Sequence, residues 1–186
     1  SEHGILVISD EIHCDMALWG KVHIPFASVS EEAAMCSITF GAPSKTFNIA
    51  GEHMSVTLFT DPALRDEFAR RLHQIHFEGP SLFSGTAALA AYQGGYDWLM
   101  ELVNMLESNA KFVCSYMKAE IPQMRFVMPQ ASFITFVDCR NIRERLPQGM
   151  DVSHFFGTKA DVAMNYGLWF GDAYEDFVRF NFGTDR

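Results

Sequence analysis

The sequence has 186 residues, 48% hydrophobic and 20% charged, with a net charge of −9. That is enough apolar material for one substantial core or two small ones, and it excludes a disordered chain. The acidic balance without a lysine or arginine cluster argues against a nucleic-acid partner, no apolar run reaches membrane-spanning length, and Cys14, Cys36, Cys114 and Cys139 lack CxxC spacing, so they read as reduced cysteines of a cytoplasmic protein.

In chain order, Ile5-Leu6-Val7-Ile8 predicts a buried strand ending in Ser9-Asp10-Glu11-Ile12-His13. Residues 14–28 lack a period and contain Gly20 and Pro25, which predicts a loop whose Trp19, His23 and Phe26 are candidates to line a pocket. Ser30 followed by Glu31 and Glu32 predicts a capped short helix. Residues 35–40 then form a second strand that delivers the chain to Gly41-Ala42-Pro43-Ser44-Lys45-Thr46-Phe47-Asn48-Ile49-Ala50-Gly51. Small and turn-forming residues around Lys45 predict a tight loop where backbone approaches a ligand closely. Residues 54–59 are β-rich enough for a third strand.

Asp61-Pro62 is a strong helix start, and Leu64, Phe68, Leu72 and Ile75 follow at helical spacing as a buried stripe. Residues 81–92 predict a closely packed helix of small residues, and Gly94-Gly95 a break. The longest helical pattern runs over residues 97–120, stopped by Pro122. Beyond it, residues 125–128 and 132–138 read as a hairpin, 151–158 as a helix, 161–164 as a short strand and 177–182 as the last strand, which presents Arg179. Seventeen phenylalanines and ten methionines are many for this length, and they read either as core filling or as surplus apolar surface.

Ligands of open α/β sheets gather at the carboxyl ends of strands, which makes Asp10 and Lys45 candidates for one site. Taken alone, Asp10 also reads as a turn cap and Lys45 as a solvated loop charge. The order of three runs bears on that choice: Ser9-Asp10-Glu11-Ile12-His13, Ser44-Lys45-Thr46-Phe47-Asn48-Ile49-Ala50-Gly51, and Arg179-Phe180-Asn181-Phe182. This order resembles fold-type I pyridoxal-phosphate enzymes of the class I/II aminotransferase superfamily, and within it the cystathionine beta-lyases and related carbon-sulfur lyases. The likeness covers nearly the whole sequence but only the C-terminal part of such an enzyme.

The resemblance implies an α/β fold in which part of the sheet of a large cofactor domain, residues 1–108, precedes a small α+β C-terminal domain, residues 109–186. It implies pyridoxal 5'-phosphate as cofactor. Lys45 would form the covalent Schiff base with it and act as the base at the α-carbon, Asp10 would pair with the pyridine nitrogen, His13 would contact the cofactor hydroxyl and Ser44 its phosphate. Arg179 would grip the substrate's α-carboxylate. Two positions depart from many relatives: Ala42 stands where serine is common, and His53 where aminotransferases usually have a phosphate-binding arginine, an absence also typical of the lyase branch. The Ser9-Asp10-Glu11-Ile12-His13 run, the Gly20-Lys21-Val22-His23-Ile24-Pro25-Phe26 segment and the absent arginine resemble the carbon-sulfur lyases more closely, and this resemblance implies β-elimination from cystathionine or a similar cysteine S-conjugate. The alternatives are an aminotransferase with the same apparatus, or a catalytically incomplete segment. A homodimer acting on a small sulfur-containing amino acid is the implied assembly.

Overall fold

The computed structural model describes residues 3–77 and 79–186. They divide into two compact units, Ser1–Glu101 and Leu102–Arg186.

The first unit is built on a three-stranded sheet in the order β1 (Val7–Asp10), β2 (Ser37–Gly41), β3 (Val56–Phe59). β1 runs parallel to β2, with Asp10 opposite Phe40, and β3 runs antiparallel to β2. A parallel pair needs a crossover. Two 3-10 turns, Cys14–Met16 and Phe26–Ser28, and the helix α1 (Glu31–Met35) supply it. α1 starts where expected, because the Ser30 hydroxyl accepts the Ala33 N–H at 3.0 Å. Met16 and Leu18, both fully buried, anchor the crossover in the core.

After β2 the chain forms α2 (Pro43–Thr46), so the tight loop expected around Lys45 is a single helical turn. Pro43 explains this, since its fixed φ suits the first helical position and its missing N–H is no loss there. α3 (Pro62–Gln74) follows β3, and its first turn is closed by Asp61 Oδ1 accepting the Ala63 N–H at 2.8 Å. α4 (Leu82–Gly94) begins at the Ser81 cap and buries only Ser84 and Ala88.

Three expectations are corrected in this unit. Among the described residues β1 is an edge strand and not a buried one, with Ile8 68% exposed, because β2 alone of the described strands pairs with it. The stripe on α3 is half-buried at best, since it borders a groove of about 590 Å3 lined in part by Phe40, Phe59, Phe68 and Leu72, and Ile75 is exposed. The stretch 14–28 is a loop bounded by two 3-10 turns, Cys14–Met16 and Phe26–Ser28, rather than a loop throughout.

α5 (Tyr96–Glu120) contains the division between the units. The second unit is a four-stranded antiparallel sheet in the order β4-β5-β7-β6: β4 (Arg125–Phe126), β5 (Ile134–Asp138), β7 (Phe177–Asn181) and β6 (Asn165–Tyr166). The short strand expected at 161–164 is instead at 165–166, where the chain meets β7 in register. α6 (Val152–Lys159), capped by Asp151, lies against β6 and β7. Leu106 and Ala110 of α5 are buried, as are Val137, Val152, Val178 and Phe182 of this unit. Asn109, also buried, donates from Nδ2 to the Phe182 and Thr184 carbonyls at 3.0 and 2.7 Å, tying α5 to the chain after β7.

Candidate active site

Because β1 and β2 are parallel neighbours in register, their carboxyl ends lie at the same sheet edge. Asp10 ends β1, and α2 with Ser44 and Lys45 follows the end of β2. His13 directly precedes the first 3-10 turn beyond Asp10. The first unit therefore brings Asp10, His13, Ser44 and Lys45 to one edge. Arg179 belongs to the second unit.

Lys45 is half-buried, and its amine has no hydrogen bond or ion pair among the described residues. The Ser44 hydroxyl is likewise without a side-chain partner among them. Asp10 is exposed, and its Oδ1 accepts the Ile12 N–H at 3.3 Å. That contact is the turn-cap geometry of an aspartate at a strand end, and it engages one oxygen only.

Two residues not singled out from sequence hold this edge together. Glu11 is 8% exposed and accepts three hydrogen bonds or ion-pair contacts: Ser9 Oγ–H at 2.8 Å, the Phe26 N–H at 2.9 Å and His23 Nε2 at 2.8 Å. Burial pushes its carboxyl up, but the Phe26 amide, His23 and Ser9 outweigh that and leave it below the usual carboxylate range. His23 and Phe26 thus serve to pin the crossover to the end of β1. Glu11 lay inside the Asp10 run, but nothing in that run distinguishes a buried acid from an exposed one.

The second is Thr46. It is fully buried, and its Oγ–H donates to Asp15 Oδ2 at 2.8 Å, clamping α2 to the turn after β1. Asp15 also sets local acidities. Burial, then Asp15, pushes the Cys14 thiol up to about 11, and burial followed by Asp15 and Cys14 raises the Tyr92 phenol. Tyr92 meets the Phe47 ring edge-on at 5.8 Å, and Phe47 packs over Gly95, where any β-carbon would strike its ring. So the helix bearing Lys45 is held at Thr46 and at Phe47. His53 is exposed, with φ of 51°, just after the 3-10 turn Ala50–Glu52.

In the second unit Arg179 is half-buried on β7. Antiparallel register sets Asn165 of β6 and Phe136 of β5 opposite it. Arg179 Nε and Nη2 both donate to Asn165 Oδ1, at 3.2 and 2.8 Å, and the guanidinium lies 5.0 Å from the Phe170 ring centre. No carboxylate pairs with it among the described residues. Phe170 is part of the aromatic turn Gly167–Phe170, packed edge-on against Phe136 at 5.2 Å. Arg143 in the same unit is different in kind, an arginine satisfied by Glu175 and Asp176 at 3.1 and 3.3 Å.

Comparisons with known proteins agree with this arrangement of elements. The family model "Aminotransferase class I and II" matches residues 1–185. The chain is 35% identical over 189 aligned positions to the cystathionine beta-lyase PatB of Bacillus subtilis, covering 98% of this chain and 46% of that protein. Among solved structures, the PLP-bound C-S lyase from Staphylococcus hominis superposes with a TM-score of 0.88 at 30% identity, over 98% of this chain and 46% of that one. Cystalysin from Treponema denticola, whose structure contains pyridoxal 5'-phosphate, gives 0.87 at 28% identity, over 96% and 45%. The chain thus spans a little under half the length of these relatives. With the family model matched almost end to end, the chain belongs to the aminotransferase class I and II family.

Proposed function

We propose that this chain carries the lysine, the cofactor-nitrogen carboxylate and the carboxylate-binding arginine of a pyridoxal-phosphate-dependent carbon-sulfur β-lyase. The observation that carries the reading is Lys45: a half-buried amine without a partner among the described residues, at the sheet edge it shares with Asp10. The relatives named cystathionine beta-lyase and C-S lyase support the reaction class.

The donor set suits the cofactor. An aldehyde needs a primary amine, a protonated aromatic nitrogen a carboxylate, and a phosphate a hydroxyl; Lys45, Asp10 and Ser44 offer these, and His13 a donor for the ring hydroxyl. When bound, pyridoxal phosphate supplies an electron sink that weakens the bonds at an amino acid's α-carbon. Lys45 would hold the cofactor covalently, and its amine would serve as the base for the α-proton. Asp10 would hold a proton on the pyridine nitrogen. Arg179 would take the substrate's α-carboxylate through paired hydrogen bonds from Nη1 and Nη2. The Cβ–S bond would break with its electron pair leaving on sulfur, which would gain a proton to become the thiol, and hydrolysis of the remaining three-carbon unit would give pyruvate and ammonia. We assign residues 1–108 to the cofactor domain and 109–186 to the C-terminal domain, and the assembly as a cytoplasmic homodimer, in keeping with free thiols throughout.

The test uses the full-length protein loaded with cofactor. Borohydride reduction followed by peptide mass spectrometry is expected to find the pyridoxyl adduct on Lys45, and L-cystathionine to yield pyruvate. Lys45→Ala should remove the adduct and lower kcat by about 10^2–10^4-fold, the usual worth of a positioned base. An adduct on another lysine would overturn the assignment of Lys45. An adduct on Lys45 with amino transfer to a keto acid but no pyruvate would replace the lyase by the aminotransferase that the family description names.

A further inference from the structure

The geometry points to Asn165 as the positioning and specificity residue of the carboxylate subsite, a neutral acceptor that aims Arg179 without cancelling its charge. The inference rests on the reading of Arg179 given above.

An arginine on a half-buried strand is normally held by an acid, because a guanidinium partly removed from water is costly without a counter-charge. Arg179 is held differently. A single amide oxygen bridges its Nε and Nη2, the Phe170 ring lies beneath the guanidinium, and no acid joins it among the described residues. The bridge occupies one side of the planar fork. The adjoining edge, made of Nη1 and the second N–H of Nη2, keeps the spacing that a carboxylate needs for two parallel hydrogen bonds. Because Asn165 and Arg179 are directly paired across β6 and β7, the sheet itself sets their approach.

An aspartate would fit the same space and accept the same two bonds, yet it would neutralise the guanidinium. An alanine would leave the charge but release the fork. Asn165 is the choice that gives orientation together with an uncompensated positive charge, and so selects an anionic group over a neutral one of equal shape.

The experiment compares wild type, Asn165→Asp, Asn165→Ala and Arg179→Ala in the full-length holoenzyme. Calorimetric titration measures binding of a non-reacting probe, 3-(methylthio)propionate, against its carboxamide, and steady-state kinetics measures KM and kcat for cystathionine. Both Asn165 variants are expected to lose carboxylate affinity by about 10-fold while carboxamide binding stays within about 2-fold, the scale of one lost charge-assisted contact. KM should rise by a similar factor with kcat nearly unchanged. Asn165→Asp keeps the acceptor and the shape, so a merely structural role would leave it like wild type. Equal loss for both probes, or an unchanged carboxylate preference in Asn165→Asp, overturns the inference provided Arg179→Ala removes that preference. If Arg179→Ala itself leaves the preference intact, the reading of Arg179 falls, and the role of Asn165 with it.

Discussion

Glu11 has the most consequential titration at the sheet edge. Its folded pKa lies below its unfolded value, so it contributes stability above the ordinary glutamate pKa, and that contribution disappears as pH falls through the lower, folded value. Glu11→Gln is therefore expected to destabilise the protein near neutrality by about 2 kcal/mol, the range for hydrogen bonds to a charged group, with the gap to wild type closing below about pH 4. Urea unfolding midpoints across that window check both the size and the sign. The cysteines make a second prediction. Cys139 is fully buried and its thiol is pushed up to about 12 by burial, then by Asp138 and Asp176, while Cys14 stands at about 11 although it is only half-buried. Thiolate is the reactive form, so an alkylating reagent at about pH 8 should label Cys14 slowly and Cys139 last, as mapped by peptide mass spectrometry.

Among the elements, the aromatic turn Gly167–Phe170 joins packing to the proposed subsite most directly. Gly167 is buried against the Tyr174 and Phe177 backbone carbonyls, and a β-carbon there would collide with both. Phe170, three residues on, stacks on Arg179. Gly167→Ala should cost about 1–3 kcal/mol or more, as overpacking of a filled site does, and should raise KM for carboxylate substrates by displacing that ring. Denaturation midpoints with KM measured on the same preparation test this; an unaltered KM in a destabilised variant would uncouple the turn from Arg179. The position of Asn165 opposite Arg179 was not legible in the sequence, because β6 is two residues long and exists only through its pairing with β7.

At the scale of the molecule, much apolar surface faces outward: Ile8, Leu58, Leu82, Phe83 and Trp169 are each at least 60% exposed. Large apolar side chains this exposed suit surfaces that another structure covers. The chain spans about 46% of the lyase relatives it matches. Prepared by itself, the 186-residue chain is expected to bind the dye ANS strongly and to aggregate beyond a dimer with rising concentration, whereas the full-length protein should do neither. Dye fluorescence and light scattering decide this, and a dye-silent monomer would mean that these side chains cover one another in solution. No helix among the described residues is long and apolar enough to cross a membrane.

What the sequence determined by itself was the family, the α/β class and most element starts. These rest on local chemistry: Ser30, Asp61, Ser81 and Asp151 cap their helices because their side chains reach amides two or three residues on, whatever lies beyond. The order of the Asp10, Lys45 and Arg179 runs was likewise readable in one dimension. Tertiary structure alone decided that Glu11 is buried while its neighbour Asp10 is exposed, that Thr46 clamps α2 to Asp15, that β1 is an exposed edge, and that Asn165 faces Arg179. Burial and pairing over separations of 14 to 31 residues depend on strand register and on what packs against each face, and no local pattern encodes either.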